Sequence, residues 1–225
     1  MLLHKPANIW LPLANEFVDL EQNDSLRKGL SLFISTLLLR HPSNVELTRE
    51  LHCKLIEFFE TLPKDTAGNP YIGEVIHKGK VISFDNFGYE EYKKCGKNEF
   101  QRMFIDSLHS NAVPFAEILM EKRWSVIFCD DSLFITTDKP VVIENTERQN
   151  FGLKTKGTII MFSLSPTRVL VMDDRHDQPN GRYYPLGNHG PGPLNLALWR
   201  SAENFMISPR NTDYVCAEMV LWADR

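Results

Sequence analysis

From Asp24 the apolar positions Leu26, Leu30, Phe33, Ile34, Leu37 and Leu38 recur three and four residues apart, the spacing that gathers side chains on one face of an α-helix. Asn23, Asp24 or Ser25 can cap its start, and Pro42 biases His41 away from helical geometry at its end. Ser43-Asn44-Val45-Glu46 is a capping-box pattern, in which Ser43 and Glu46 reciprocally satisfy the first free amides of a second helix. Leu51, Leu55, Phe58, Phe59 and Leu62 supply that helix with a stripe expected to be buried, and Pro63 stops it. So short a connection predicts an antiparallel αα-hairpin.

Further on, Tyr71 to His77 and Lys80 to Phe84 flank a Lys-Gly turn and predict a β-hairpin. A third helix is expected from about Asn98, with Phe100, Met103, Phe104 and Leu108 on one face. A fourth is expected from near Pro114 to about Arg123. After Trp124 the pattern changes to short β-rich runs: Ser125 to Cys129, Leu133 to Thr137, Val141 to Glu144, Thr158 to Phe162 and Arg168 to Met172. A loop from Gln178 to Pro193 then leads to a helix from about Leu194 to Asn204, a short strand Phe205 to Ser208 and an apolar run Tyr214 to Trp222. Helices first and strands later predict an α+β fold in one domain over 1–225. The N-terminal helical hairpin and further helices (about 15–123) would pack on a mainly antiparallel C-terminal sheet (about 124–225).

Composition narrows the class. With 225 residues, 43% of them hydrophobic and 24% charged, the chain reads as globular rather than disordered, and it is long enough for a sizeable core. The net charge of −4 comes from acids and bases spread evenly along the chain, so no basic field marks a phosphate-tracking nucleic-acid binder. Gly29 to Leu39 is too short an apolar run to span a bilayer, which excludes a membrane partner by that route. Cys53, Cys95, Cys129 and Cys216 are widely spaced, and the N-terminus lacks a signal-peptide pattern. The expectation is a cytoplasmic protein with reduced, mostly buried thiols. Leu2, Leu3, Ile9, Trp10, Leu11, Leu13 and Phe17 make the N-terminus unusually apolar; it must dock on the core or be covered by a partner or a second copy in a homo-oligomer.

Candidate chemistry is sparse. No helical His pair and no Cys/His cluster suggests a metal, and no cofactor is expected. Asp173-Asp174-Arg175-His176-Asp177 can hold a divalent cation, but its place after an apolar strand favours a solvated turn. The prolines of Gly187 to Pro193 remove donors that a phosphate cradle would need. Ser163 and Ser165 flank Leu164 without a matching His or Asp for a triad. Asp138 ends an apolar run before Lys139-Pro140; it can turn the chain or present a carboxylate at the mouth of a sheet. A nuclease-like Asp followed by Glu-x-Lys is half present, because Glu144 is followed by Asn145 and Thr146.

The segments Ala116 to Trp124 (A-E-I-L-M-E-K-R-W), Phe134 to Val142 (F-I-T-T-D-K-P-V-V), Phe162 to Pro166 (F-S-L-S-P) and Leu194-Asn195 onward to Phe205–Ser208 (F-M-I-S) occur in a fixed order. In this order, with Leu37 to Pro42 (L-L-L-R-H-P) upstream, the chain resembles a bacterial family of uncharacterised proteins, domain-of-unknown-function family 4238, over about two-thirds of its length. Thr137 and Lys139 stand where the family tends to have Ser and Asn, and Ser163 stands where it tends to have Pro. The family's usual N-terminal H-x-V-P-like segment does not occur, so a shortened family member is expected.

The resemblance marks Arg40, Asp138, Ser165, Asn195 and Ser208 as the polar positions of interest. Two readings follow from them. In the first, the chain is a binding or interaction module with these residues around a polar cleft, Ser165 and Ser208 touching the ligand. In the second, it is a metal-dependent hydrolase or nuclease acting on a phosphate ester. Asp138 would then be metal ligand or general base, Arg40 an anion clamp and Asn195 a further catalytic group.

Overall fold

A computed structural model describes residues 12–66, 68–70, 74–77, 80–83, 89–145, 147 and 151–223. The fold is α+β, as the sequence predicts. Its contacts form two compact units, residues 1–39 with 110–225 and residues 40–109.

The first unit is built on a five-stranded sheet in the order β5-β6-β7-β3-β8. Its strands are β3 (Arg123–Phe128), β5 (Val141–Asn145), β6 (Thr158–Ser165), β7 (Arg168–Asp173) and β8 (Arg182–Pro185). The first four pair antiparallel, and β8 joins the far side of β3 in parallel. β8 corrects the expectation that Gln178 to Pro193 is all loop. Tyr183 is half-buried there, and its hydroxyl accepts a hydrogen bond from the Val18 amide at 3.0 Å.

Both faces of this sheet are covered, and the period-two side-chain alternation of a strand sorts residues between two cores. On one face Trp124, Val126, Val141, Ile160, Phe162, Leu164, Leu170 and Met172 meet α1 (Asp24–Leu39) through Leu26, Leu30, Ile34 and Leu37. On the other, Val142, Met161 and Val169 meet α5 (Gly192–Ser201) and α6 (Thr212–Ala223) through Ala197, Leu198, Val215 and Met219. Two-sided burial explains why β6 and β7 read as nearly continuous apolar runs rather than alternating ones.

Asn23 supplies the cap of α1, its side-chain oxygen accepting from the Leu26 amide at 3.1 Å. Of the apolar N-terminus, residues 1–11 lie outside the described structure. A helical turn at 12–15 and the segment after it dock through Leu13 and Leu20, both fully buried in the first core.

α4 (Lys97–Glu121) is one continuous helix, correcting the expected break at Pro114. A proline inside a helix removes one backbone hydrogen bond, a cost of about 3 kcal/mol. Burial of Ala112, Ala116 and Leu119 on one face of the same stretch offsets that cost.

The second unit contains α2 (Ser43–Glu60), the hairpin β1 (Glu74–His77) and β2 (Lys80–Ser83), and α3 (Tyr89–Lys93). The expected hairpin is therefore present, while its Lys78-Gly79 turn lies outside the described residues. The expected capping box is not made. Pro42 is the N-cap in helical geometry, and the His41 ring accepts from the Ser43 amide at 3.3 Å. Glu46 pairs instead with Arg49. The expected αα-hairpin would join α1 and α2, but the division of the chain falls between them. Leu51, Leu55 and Phe58 are exposed rather than buried; His52 is the buried side chain of α2. Nor are the thiols buried: Cys53 and Cys216 are exposed, Cys95 and Cys129 half-buried, and none of the four is in a disulfide.

Candidate functional site

The segment from Leu133 to Thr137 is expected to be a strand, yet only Thr136–Thr137 (β4) pairs as one, antiparallel to β9 (Met206–Ile207). The residues before it form no ladder and are held by side chains and by one backbone carbonyl. Asn195, fully buried on α5, donates through Nδ2 to the Leu133 carbonyl at 3.0 Å and accepts at Oδ1 from the Ile135 amide at 3.1 Å. Its amide thus imitates the donor and acceptor of a neighbouring strand. Ser163 Oγ donates to the Ile135 carbonyl at 2.7 Å. The Leu133 and Phe134 amides both donate to the Pro166 carbonyl at 2.8 Å, and Arg210 Nη2 donates to the Leu133 carbonyl at 3.0 Å.

Asp138 performs a similar task at the other end of β4. Its two oxygens accept from the backbone amides of Glu203 (3.1 Å) and Asn204 (2.8 Å) and from the Asn204 side chain (2.9 Å), tying β4 to the connection between α5 and β9. Partial desolvation opposes the ionised carboxylate, but these hydrogen bonds outweigh it and hold the pKa below the ordinary Asp value. The local turn uses another group, since the Lys139 amide donates to Thr137 Oγ1 at 3.2 Å.

These attachments leave a cleft of about 430 Å³ lined by Phe134 to Thr136, Ser163 to Pro166 and Ile207 to Pro209. Two of the sequence-predicted positions, Ser165 and Ser208, meet there. Ser165 Oγ also donates to the Ala14 carbonyl at 3.2 Å, and Ser208 Oγ accepts from the Arg210 amide at 3.0 Å. Asn195 supports Ile135, which lines the cleft, but Asn195 is not in the lining, and neither is Asp138. Arg40 is exposed and belongs to the second unit. The lining carries hydroxyls on an apolar surface and no ionisable side chain.

Sequence reasoning missed Arg168, which fixes one border of this region. Buried on β7, it donates through Nη1 to the carbonyls of Leu13 (2.8 Å) and Glu16, and its guanidinium lies 5.0 Å from the Phe17 ring centre. Carbonyl dipoles and an aromatic face thus replace a carboxylate as its partners. The signal was an Arg at the head of the apolar run Val169–Met172, where a buried cation needs partners from elsewhere in the chain.

The acidic stretch after β7 is also committed. Arg123 Nε and Nη2 reach the two Asp173 oxygens at 2.8 and 2.5 Å, and Lys122 Nζ reaches Asp174 at 2.6 Å. Burial pushes the Asp173 carboxyl up, and the Arg123 fork overcomes this and holds it below the usual range. Among the described residues no three His, Cys, Asp or Glu side chains gather as a metal site.

The family comparison agrees with the resemblance read from the sequence. A family model described as protein of unknown function (DUF4238) matches residues 19–213, and the chain belongs to that family. No curated protein and no solved structure matches it. Among the described residues no helix is long and apolar enough to cross a membrane.

Proposed function

We propose that this member of the DUF4238 family is a binding module, and that its ligand seats in the cleft beside β4. The observation that carries this reading is the make-up of the cleft itself. Asp138 and Asn195 lie outside it and hold backbone, whereas Thr136, Ser163, Ser165 and Ser208 line an otherwise apolar cleft of about 430 Å³ that carries no ionisable side chain. A cavity of that size suits a small ligand or the side chain of a larger one. Hydroxyls over an apolar surface without a charged side chain favour a neutral group that is part apolar and part hydrogen-bonding. Four cysteines with no disulfide between them suit a reducing compartment such as the cytoplasm.

The test is NMR titration of the full chain with uncharged fragments bearing hydroxyl or amide groups, alongside anionic phosphoesters. Neutral fragments are expected to shift the amides of Thr136 and Ser208 saturably, and Ser208→Phe, which fills the cleft, is expected to abolish the shifts. Turnover of a phosphoester in added Mg²⁺ or Mn²⁺ that vanishes in Asp138→Asn, with the fold intact, would overturn this reading in favour of a hydrolase.

A further inference from the structure

We propose that α6 (Thr212–Ala223) pairs antiparallel with α6 of a second copy of this chain, across a two-fold axis at Ala217. The sequence of α6 is apolar around almost its whole circumference, which is the pattern of a helix buried on all sides. Its own unit buries only part of it, through Val215 and Met219. At 100° per residue, the opposite arc carries Cys216, Val220, Asp213, Ala217, Leu221 and Tyr214 in angular order, and all six are exposed. Asp213 is the one charge in that arc.

The arrangement is self-complementary, as a two-fold contact requires. Ala217 lies at the middle of the arc and lets two helix backbones approach. In an antiparallel pair centred there, Tyr214 of each copy falls opposite Val220 of the other, so bulky groups flank a small central pair on both sides. Asp213 falls opposite Leu221, toward the end of α6 where Arg200 lines the groove between α5 and α6 with Trp199, Val220 and Ala223. The two-fold therefore brings each Asp213 toward an Arg200 and keeps the two Asp213 carboxylates at opposite ends. A parallel pair would oppose those carboxylates directly.

The available area fits a reversible dimer. Tyr214 is 75% exposed, Leu221 68%, Val220 57% and Trp199 42%. Aromatic side chains bury about 150–250 Å² each and aliphatic ones somewhat less, so this face offers roughly 450 Å² of apolar surface per copy. With the smaller residues between them, a pair reaches the ~1,000 Å² at which specific interfaces begin.

Sedimentation velocity on the full chain is expected to show a concentration-dependent monomer–dimer equilibrium. Ala217→Glu and Ala217→Lys should each be monomeric, because like charges would meet on the axis, and an equimolar mixture should recover the dimer. A wild-type chain that stays monomeric up to its solubility limit would overturn the proposal, as would folded charge variants that fail to associate when mixed. Binding of the monomer to phosphatidylserine vesicles through this face would equally overturn it. If a charge at 217 unfolds α6, the double variant Tyr214→Ser, Leu221→Gln replaces it: it must raise the dimer Kd by about tenfold or more, and an unchanged Kd refutes the interface.

Discussion

The two units of this chain differ in where most of their polar bonds fall, although the buried His52 of the second also reaches the Tyr92 carbonyl 40 residues away. In the first, buried polar groups reach far along the sequence: Asn195 to Leu133 and Ile135, Arg168 to Leu13, Arg123 to Asp173. In the second, the charged pairs lie on the surface, and most are within one helical turn of each other, as in Arg49 with Glu46, Lys64 with Glu60 and Lys94 with Glu90. Its helix α2 also leaves Leu47, Leu51, Leu55 and Phe58 exposed along one stripe. A long-range buried bond stabilises only if every group is satisfied, and it costs heavily when one partner is lost. Surface pairs contribute little and are screened by salt. Point changes should therefore strike the first unit hard and the second lightly.

The largest effect is expected at the Arg123–Asp173 pair, of which the side chains are 7% and 6% exposed. Asp173→Ala leaves the guanidinium buried without its fork partner, a loss of about 3–5 kcal/mol. Denaturant unfolding should show this as a lower midpoint, and a loss under about 1 kcal/mol would mean that water reaches Arg123 freely. Asn195→Ala comes next. It removes the partner of the Ile135 amide and one of the partners of the Leu133 carbonyl at a fully buried position, for about 2–4 kcal/mol. Because Ile135 lines the cleft, the same variant should blur the amide resonances of 133–137 even where the rest of the unit stays folded.

How much of this was legible in the sequence follows the same division. β3, β5, β6 and β7 announced themselves as apolar runs, and α1 as a helical period with Asn23 before it, because each signal is local and strong. β8 was hidden: its exposed Arg182, Tyr184 and Pro185 carry no strand alternation, and its place is set by pairing with β3. The sequence singles out Asp138, Asn195, Ser165 and Ser208 as polar positions, but not the backbone groups to which they bond. A carboxylate that clamps a distant loop and one that awaits a ligand look alike until the partner of each oxygen is seen. Helix α2 shows the converse, since a correct apolar stripe does not say what covers it.

The smallest effect, and the one specific to the second unit, concerns acid. Glu60 accepts from Lys64 at 2.8 Å, from Lys93 and from the Tyr89 hydroxyl at 2.9 Å, and these bonds bring its pKa down from 4.5 to about 2. A carboxyl with a depressed native pKa contributes stability that is fully present above its unfolded value and is lost as pH falls through the folded one. The attachment of α3 to Glu60 should thus persist at pH 5 and release as pH falls from 4.5 through about 2. Hydrogen exchange of the amides of 89–93, corrected for intrinsic rates, reads this directly. Glu60→Gln should give the acid level of protection already at neutral pH, and added salt should move the wild type toward it because the group is at the surface. Protection that falls only together with that of β6 and β7 would mean that α3 is held by something other than Glu60, and that the contrast between the two units is drawn in the wrong place.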